Sequence, residues 1–327
     1  MSTALPRPLK GKFPDSSIVY LVKEYSKDVV LFHPFIDNVL IFNPSWLKDP
    51  LGKKSTLKET LDLLKVLRQR RFDIALVANA DWKKALLAYL SRIPVRIGRS
   101  QKKAGVFLSE DIARDVSEVR HMLEDDLDLL RALEIETKDA LPEVHTDPKQ
   151  DALVDEFIKS KNIKAEAGIV GIHPSSLHAS RNWEIEKFIE LTIKLSSAGI
   201  GVFFFTPSYK KYLDNIVGTI KNRNIHVIRD ITVGHMASYI KRCSVFVGND
   251  SGPIHIAAAV GVRVAALFGP SDFRRFGPVG QGHLVLRHDM SCSPCGSSPD
   301  CDSLECIKSL SVDEVYGGLR SLLEKRR

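Results

Sequence analysis

Short apolar runs alternate with amphipathic segments along nearly the whole chain, and this alternation constrains the fold more than any other feature. Runs such as "SIVYLV", "FDIALVAN" and "GVFFFT" are typical of buried strands, whereas "TLKETLDLLKVLRQR" places its leucines at helical spacing. In the second half, predicted strands alternate with helices near residues 184–198, 208–222, 233–242 and 252–260. Repeated strand–helix units predict parallel sheets covered by helices on both faces.

One segment interrupts this alternation. Prolines and polar residues in "DALPEVHTDPKQD" predict a linker near residues 140–150. At 327 residues the chain is long enough for two domains. We therefore predict an α/β protein of two Rossmann-like, doubly wound domains, residues 1–145 and 146–327, which face a central cleft. Ligands of such sheets bind at the carboxyl ends of the strands.

The composition is that of a globular protein with a basic surface. No apolar run approaches the roughly 20 residues needed to span a bilayer, and no secretory signal is visible, so we predict a cytoplasmic protein. The net charge of +7 suits an anionic partner, although an ordinary solvated surface explains it equally well. Nucleic acid is disfavoured because the basic residues alternate with acids and no stacking aromatics interleave them.

The stretch "VGNDSGPIHIAAAVGVRVAALFGPS" carries polar residues that packing alone does not require. Asp250 and Ser251 follow a predicted strand, and Pro253 suits the first turn of the next helix. Free N–H groups gather at a helix N-terminus, whose partial positive charge attracts phosphate. Gly252 lets a ligand approach the backbone, and His255 in the first turn faces the same mouth. The alternative is a plain N-cap beside a surface histidine.

A second polar loop, "GIHPSSLHASRNW", also follows a predicted strand. It offers the hydroxyls of Ser175, Ser176 and Ser180 and the fixed cation of Arg181. Hydroxyls with one cation at the carboxyl end of a strand form an anion-binding surface, and the alternative is a polar surface loop capped by serine. Two such loops in one domain favour phosphate binding, although the chain has no Walker lysine motif, no G-x-G-x-x-G and no G-x-S-x-G.

Four of the five cysteines crowd into "CSPCGSSPDCDSLEC", at Cys292, Cys295, Cys301 and Cys306. In a cytosolic chain, such crowding favours a metal site or free thiols over disulfides. The spacing can hold one tetrahedral zinc, with Cys292 and Cys295 as the close pair, but the later spacings are not those of a standard zinc finger. A structural zinc and free or partly paired thiols are both open. No catalytic role is assigned, because the cluster lies far along the chain from the phosphate loops.

Nearly the whole chain resembles glycosyltransferase family 9, the ADP-heptose:lipopolysaccharide heptosyltransferases. The most specific resemblance is carried by "GNDSGPIHIAAAVGVRVAALFGPSDFRRFGP", which is similar to the family's D-[ST]-G-x-x-H-[LI]-A-A-A block and the G-P-[ST] that follows. Supporting matches are "IGRS", "HMLEDDLDLLRALEI", "RNWEIEKFIEL" and "ITVGHMASYIKRCSVFVGND". The resemblance implies a GT-B fold, with the nucleotide-sugar donor on the C-terminal domain and the acceptor on the N-terminal domain.

The resemblance also implies roles for single residues. The residues expected at the donor phosphates, with Asp250 shaping their loop, are Ser175, Ser176, Arg181, Asp250, Ser251, Gly252 and His255. No metal or other cofactor is expected for the transfer itself. The helix dipole, backbone donors and a cation are expected to stabilise the departing ADP instead, which is electrostatic stabilisation of the transition state.

The sequence departs from the family pattern in three places. The family begins with a strand and a Gly-Asp loop, whose aspartate is thought to act as general base, whereas this chain opens at "MSTALPRPLKGKFPDSSIVYLV", which resembles the segment after that loop. The strand and the aspartate are therefore expected to be missing, and no catalytic residue is assigned. Loss of a general base costs about two to four powers of ten in rate. A mis-set start or a split gene is favoured over a repurposed copy. Ser208, Tyr209 and Lys210 stand where an acidic residue near the ribose is common, and Arg181 replaces a lysine.

Two functions are weighed. The first is an inverting glycosyltransferase that moves a heptose from ADP-heptose to an anionic lipopolysaccharide core acceptor, with peripheral contact to the inner membrane. The second is a catalytically inactive member of the same family that binds nucleotide without turnover. Six basic residues are candidate acceptor contacts in the first case: Arg70, Arg71, Lys83, Lys84, Lys102 and Lys103.

Overall fold

The computed structural model describes residues 1–43, 56–78, 81–99, 104–112, 118–163, 168–206, 224–296, 301 and 303–324. The chain divides into two compact units, Met1–Glu143 and Val144–Arg327. The division falls inside the segment whose prolines and polar residues predict a linker. Each unit consists of parallel strands and helices, as the alternating pattern predicts.

The N-terminal unit contains two small parallel sheets. Its strands are β1 (Val19–Val22), β2 (Asn38–Ile41), β3 (Ile74–Leu76), β4 (Val95–Gly98) and β5 (Glu110–Asp111). Its helices are α1 (Pro6–Lys12), α2 (Leu57–Arg70), α3 (Trp82–Leu90) and α4 (Met122–Arg131). Strand β1 pairs with β2, and β4 lies between β3 and β5.

Helix α2 shows how the local sequence sets an element. Thr56 and Glu59 form a capping box, in which each side chain accepts a hydrogen bond from the other residue's backbone N–H. The helix ends where Arg71 adopts the left-handed conformation, with φ of 51°. Leu64 and Leu67 are buried as their spacing requires, whereas Leu57, at the first turn, is exposed. The helix is confirmed, but its apolar stripe is only partly covered.

The C-terminal unit is built on one six-stranded parallel sheet, in the order β11-β10-β9-β6-β7-β8. The strands are β6 (Ile169–His173), β7 (Gly201–Thr206), β8 (Ile225–Arg229), β9 (Val245–Asn249), β10 (Arg263–Leu267) and β11 (Leu284–Leu286). The chain runs outward from β6 to β8, returns to the other side of β6 as β9, and continues outward to β11. The direction of strand addition therefore reverses between β6 and β9.

Helices cover both faces of this sheet. They are α5 (Pro148–Ser160), α6 (Ile185–Ser197), α7 (Val233–Lys241), α8 (Gly252–Ala259), α9 (Phe273–Phe276), α10 (Glu305–Lys308) and α11 (Val312–Glu324). Alternate residues of each strand enter opposite layers: Val245 and Val247 of β9 pack with α6 and α11, and Phe246 packs with α5, α7 and α8. Each such buried side chain contributes about 1.5–3 kcal/mol of hydrophobic stabilisation.

Several elements of this unit, α5 and β11 among them, are missed by the sequence prediction. Helix α5 begins at Pro148 with Asp147 as its N-cap, so the second half of the predicted linker is the start of a helix. Strand β11 is only three residues long and pairs with β10. The helices predicted near residues 184–198, 233–242 and 252–260 are confirmed as α6, α7 and α8. The helix predicted near residues 208–222 lies outside the described residues.

Before β1, the described residues form a short 3-10 helix, Ser2–Ala4, and α1. The expectation that the family's first strand and its aspartate are missing stays a prediction. Within the described part of the chain, no helix has both the length and the apolar character needed to cross a bilayer.

Candidate functional site

The two polar loops singled out in the sequence meet at one point of the C-terminal sheet. Strands β6 and β9 are neighbours, and His173 stands opposite Gly248 in their register. The loop of residues 174–184 follows β6, and Asp250 and Ser251 follow β9. Because the direction of strand addition reverses between these strands, their loops flank the position where parallel α/β sheets bind ligands.

A buried ion pair joins the loops. A guanidinium nitrogen of Arg181 lies 2.9 Å from Oδ2 of Asp250, and the two side chains are 17% and 5% exposed. Burial raises the pKa of the Asp250 carboxyl above its ordinary value, while the nearby Ser271 hydroxyl and the charges of Arg181 and His178 oppose that shift. Nε of Arg181 has no hydrogen-bond partner among the described residues. Asp250 therefore fixes the Arg181 guanidinium in place, while Nε of Arg181 remains able to donate a hydrogen bond to a ligand.

Among the described residues, no side chain caps the N-terminal backbone N–H groups of α8. Ser251 is its N-cap residue with an extended backbone, but its side chain makes no capping hydrogen bond and its Oγ donates to the carbonyl of Asn249 instead. The alternative of a plain serine N-cap is therefore wrong. A Cβ atom added to Gly252 would meet no atom within 4 Å, and its φ is not in the left-handed region. Neither packing nor backbone conformation requires a glycine at this position. Its missing side chain leaves the backbone open to a ligand, and His255 lies half-buried in the same turn.

Ser175 and Ser176, both in the loop of residues 174–184, have different surroundings. Oγ of Ser176 donates to the carbonyl of His178 at 2.7 Å, and its backbone N–H donates to Oδ1 of Asn182 at 2.7 Å. Its hydroxyl therefore shapes the loop, and the expectation that it faces a ligand gains no support. Oγ of Ser175 is buried and has no hydrogen-bond partner within the described ranges. A buried hydroxyl without a partner costs about 1–3 kcal/mol, which a bound oxyanion would relieve.

An asparagine that the sequence analysis missed ties the loops together. Asn249, the fully buried last residue of β9, accepts a hydrogen bond from the backbone N–H of Trp183 at 3.0 Å. Its Nδ2 donates to the carbonyl of Pro174 at 3.0 Å and to Oδ1 of Asn182 at 3.4 Å. The signal was available in the sequence, since an amide that ends an otherwise apolar run needs partners for all its polar atoms.

Four of the candidate acceptor contacts, Arg70, Arg71, Lys83 and Lys84, belong to the described part of the N-terminal unit. Arg70 and Arg71 are exposed at the end of α2. Lys84 is partly buried, where its Nζ donates to the carbonyl of Ala78, and burial lowers its pKa. Two further groups, Lys102 with Lys103 and the residues 208–210, lie outside the described residues.

The four late cysteines lie near one another, but their sulfurs are not arranged as a closed metal site. Cys292 and Cys295 are exposed, Cys301 is half-buried and Cys306 is buried, and none of these four described cysteines is in a disulfide. Burial, together with the other three thiols, raises the pKa of Cys306. Thiolates are ligands that zinc prefers, so the donor set fits. In the described residues, however, no three of these sulfurs lie within 4.8 Å of one another.

Relatives of known class match most of the chain. Residues 60–304 match the model of glycosyltransferase family 9 (heptosyltransferase). Lipooligosaccharide heptosyltransferase 2 of Campylobacter jejuni is 28% identical over 163 residues, which cover 48% of this chain and 51% of that protein. This chain thus spans about half the length of that relative. Lipopolysaccharide heptosyltransferase 2 of Salmonella typhimurium is 24% identical over 301 residues, which cover 88% of this chain and 84% of that protein.

A solved structure supports the fold. The E. coli ADP-heptose lps heptosyltransferase II matches with a TM-score of 0.81 at 19% identity, covering 99% of this chain and 95% of that one. The predicted fold class, α/β of the GT-B type, is confirmed. Because the family model covers most of the sequence, the chain belongs to glycosyltransferase family 9, the heptosyltransferases.

Proposed function

We propose that this protein transfers a heptose from ADP-heptose to an anionic lipopolysaccharide core acceptor. One observation carries the donor half of the proposal: the bare N-terminus of α8 and the cation of Arg181 lie on neighbouring loops, joined by the Arg181–Asp250 pair at 2.9 Å. Such an arrangement suits a diphosphate, because backbone N–H groups and one cation can neutralise its charge. The heptose and the acceptor class are supported by family membership and by the names of the relatives.

The residues of the C-terminal unit would act on the leaving group. When the acceptor hydroxyl attacks the anomeric carbon, its proton passes to a base outside this group of residues, the bond from that carbon to the β-phosphate oxygen breaks, and negative charge grows on ADP. The N–H groups at Ser251 and Gly252 and the guanidinium of Arg181 would stabilise that charge, and Ser175 would add a hydroxyl donor. Asp250 is not proposed as a base, because it is buried and paired with Arg181. No cofactor is proposed for this step.

Calorimetry with ADP and a transfer assay test the two halves separately. We expect ADP to bind and ADP-heptose with a deacylated core acceptor to give a coupled product, detected by mass. ADP binding without transfer would favour the inactive, nucleotide-binding alternative. The expectation that the general base is missing would then gain support, because binding does not need that residue. Absence of ADP binding would contradict the proposal at its first step.

We also propose that the N-terminal unit contacts an anionic membrane surface. Trp82 and Tyr89 are exposed and flank the Phe107 ring, at centroid distances of 6.5 and 5.8 Å. Lys83 lies over the Trp82 ring. Arg96 lies over the Tyr89 ring, and its guanidinium donates to the backbone carbonyls of Ile93, Pro94 and Phe107, so it holds the aromatic cluster together. Exposed aromatic rings with a lysine beside them are typical of surfaces that lie at the headgroup level of anionic bilayers.

Vesicle sedimentation tests this surface without any transfer reaction. We expect the protein to sediment with phosphatidylethanolamine–phosphatidylglycerol vesicles and not with phosphatidylcholine vesicles. The pair Lys83→Glu and Val106→Glu, the latter on a 76% exposed side chain, should weaken binding about tenfold. The matched pair Lys159→Glu and Leu153→Glu, on α5, should leave it unchanged. Equal loss in both pairs would show non-specific attraction and contradict the assignment.

A further inference from the structure

The strands of the two units differ in how well they are covered. Every residue of β7 and β9 is buried, as are four of the five residues of β6. In contrast, β1, β2 and β3 contain no buried residue. Parallel strands are normally covered by helices on both faces and are therefore buried. The strands of the N-terminal unit thus lack part of the packing that is usual for parallel strands.

Strands β1 and β3 also have an edge without a hydrogen-bonded neighbour. Within the described ranges, β1 pairs with β2 alone and β3 pairs with β4 alone. Their apolar side chains reach solvent, since Leu21 of β1 is 39% exposed and Ile74 of β3 is 36% exposed. An unpaired edge presents a row of backbone N–H and C=O groups, with which an extended segment can pair.

On one face of the unit, a series of contacts leads from β1 to the end of β4. Oη of Tyr20, in β1, donates to the carbonyl of Ser2 at 2.7 Å. The 3-10 helix that begins at Ser2 contacts α4. Asp125 of α4 accepts a hydrogen bond of 3.2 Å from Arg99, the residue that follows β4. The same two helices therefore bridge the two sheets.

Helix α2 connects the two sheets a second time. Leu63 and Leu67 of α2 form a buried cluster with Phe42, which directly follows β2. Phe72, two residues before β3, packs against the same cluster. The helix also joins β2 to β3 along the chain. A strand–helix–strand connection of this kind is typical of parallel strands that belong to one sheet.

The carboxyl ends of β1 and β3 lie at the same edge of the unit. Nζ of Lys84 donates to the carbonyl of Ala78, two residues after β3, at 3.3 Å. Burial lowers the pKa of Lys84, and the charge of Lys23, the residue after β1, adds to that shift. Together with the connection through α2, this interaction indicates that β1 and β3 run in the same direction. In the described residues, however, the two strands do not pair with each other.

We propose that the N-terminal unit binds an extended apolar segment as a parallel strand between β1 and β3. The added strand would pair with the free edges of both neighbours and join the two sheets into one. Its length would be about five residues, close to the four of β1. Its side chains would be apolar on both faces, because a strand inside a parallel sheet is covered on both sides. The proposal rests on contacts within the N-terminal unit and is independent of the proposed function.

Hydrogen exchange on the full chain tests the position of the added strand. The probe is the synthetic peptide "KVLVVIK", whose terminal lysines keep it soluble. It should slow amide exchange about tenfold or more in the fragments that contain β1 and in those that contain β3. The peptide "KVLPVIK" is the matched control and should slow neither, because proline cannot donate to the ladder and is excluded from central strands. Protection of only one of the two strands, protection of neither, or equal protection by the proline peptide would overturn the proposal.

Charged substitutions on the flanking strands test the same position by affinity. Leu21→Lys with Ile74→Lys changes side chains that are already exposed, so the fold should survive. A charge beside the added apolar side chains should weaken binding of labelled "KVLVVIK" about tenfold, measured by fluorescence anisotropy. Ile41→Lys is the matched control, since Ile41 is 45% exposed in β2, away from the proposed strand.

The Ile41→Lys control should bind the peptide like the wild type. A loss as large as that of the double variant would place the peptide at the open edge of β2 and contradict the position between β1 and β3. Should the double variant fail to fold, the exchange measurement with the two peptides on the wild-type chain decides alone.

Discussion

The fold does not require a glycine at position 252, whereas close approach of the proposed ligand to the backbone does. Nothing lies within 4 Å of the position its Cβ would take, and its backbone is one that any residue can adopt. Most glycines in this unit have a structural reason, as Gly269 does beside Ile307. At Gly252 neither packing nor backbone conformation supplies a reason, and the proposed ligand does. The site residue can therefore be tested without damage to the fold.

Replacing Gly252 by alanine should leave the free energy of unfolding unchanged or slightly higher, since alanine restricts the unfolded chain. ADP affinity should fall about tenfold or more, because a methyl group at the helix mouth obstructs a hydrogen bond to a charged phosphate. Urea unfolding and calorimetry measure the two effects. Gly317→Ala is the control, a helical glycine with equally open surroundings, and should not change ADP binding. Unchanged affinity in Gly252→Ala would remove α8 from the donor site.

The Arg181–Asp250 pair calls for a double-mutant test. Arg181→Gln alone leaves a buried carboxylate unpaired and should cost about 3–5 kcal/mol of unfolding free energy at neutral pH. The pKa of Asp250 would rise further, so the native state binds its proton more readily than the unfolded state does. The stability deficit should therefore shrink as the pH falls. Adding Asp250→Asn should restore most of the stability but none of the ADP affinity. Recovery of both would contradict the role of Arg181 in binding.

At the scale of elements, the N-terminus of α11 joins three segments by charge and hydrogen bonds. Ser311 and Glu314 form a reciprocal cap in which Oε2 of Glu314 accepts from the backbone and hydroxyl of Ser311. His288 bridges Oε1 of Glu314 at 2.9 Å and Oγ of Ser309 at 2.7 Å. The Ser311 hydrogen bonds, followed by the His288 contact, lower the pKa of Glu314 to about 2.

This shift predicts a pH dependence with a definite sign. A carboxyl whose folded pKa is depressed stabilises the native state above its unfolded pKa, here 4.5, and that contribution disappears as the pH falls through about 2. Glu314→Gln keeps a capping side chain but has no charge. Its unfolding free energy should lie below that of the wild type at neutral pH, and the gap should close between these two values. Urea unfolding across that range measures it, and a gap independent of pH would contradict the assignment.

At the scale of the molecule, the C-terminal unit contains every residue of the donor site that we propose. Its six strands, both hydrophobic layers and the loops at Arg181 and Ser251 belong to residues 144–327. We expect this segment, expressed alone, to unfold cooperatively and to bind ADP within about threefold of the full chain, because distant independent sites are nearly additive. Thermal unfolding and calorimetry test this. Loss of ADP binding in a folded segment would show that the N-terminal unit contributes to the donor site.

The sequence predicts this architecture well where a single signal dominates. Uninterrupted apolar runs predicted β6, β7 and β9, and a proline after a polar turn predicted the start of α8. Short or polar-led elements were missed: β11 has three residues, and α5 begins inside the proline-rich linker. At the site, residue types were predicted but not their partners. The hydroxyl of Ser176 bonds within its own loop, and Asn249 was overlooked. The hydrogen bonds from Ser293 and Cys295 to the carbonyls of Gly269 and Pro270 are tertiary and leave no local pattern in the sequence.

The bonds of Asn249 have a consequence for how the protein is made. Asn249 and Pro174, whose carbonyl it binds, are 75 residues apart in the chain. During synthesis, the loop of residues 174–184 leaves the ribosome before β9, so the nucleotide site that we propose cannot form until β9 has paired with β6. A nucleotide that binds only the finished sheet then favours the native state by mass action. Cellular nucleotide levels would thereby influence how much of the newly made protein survives, and not only how fast it works.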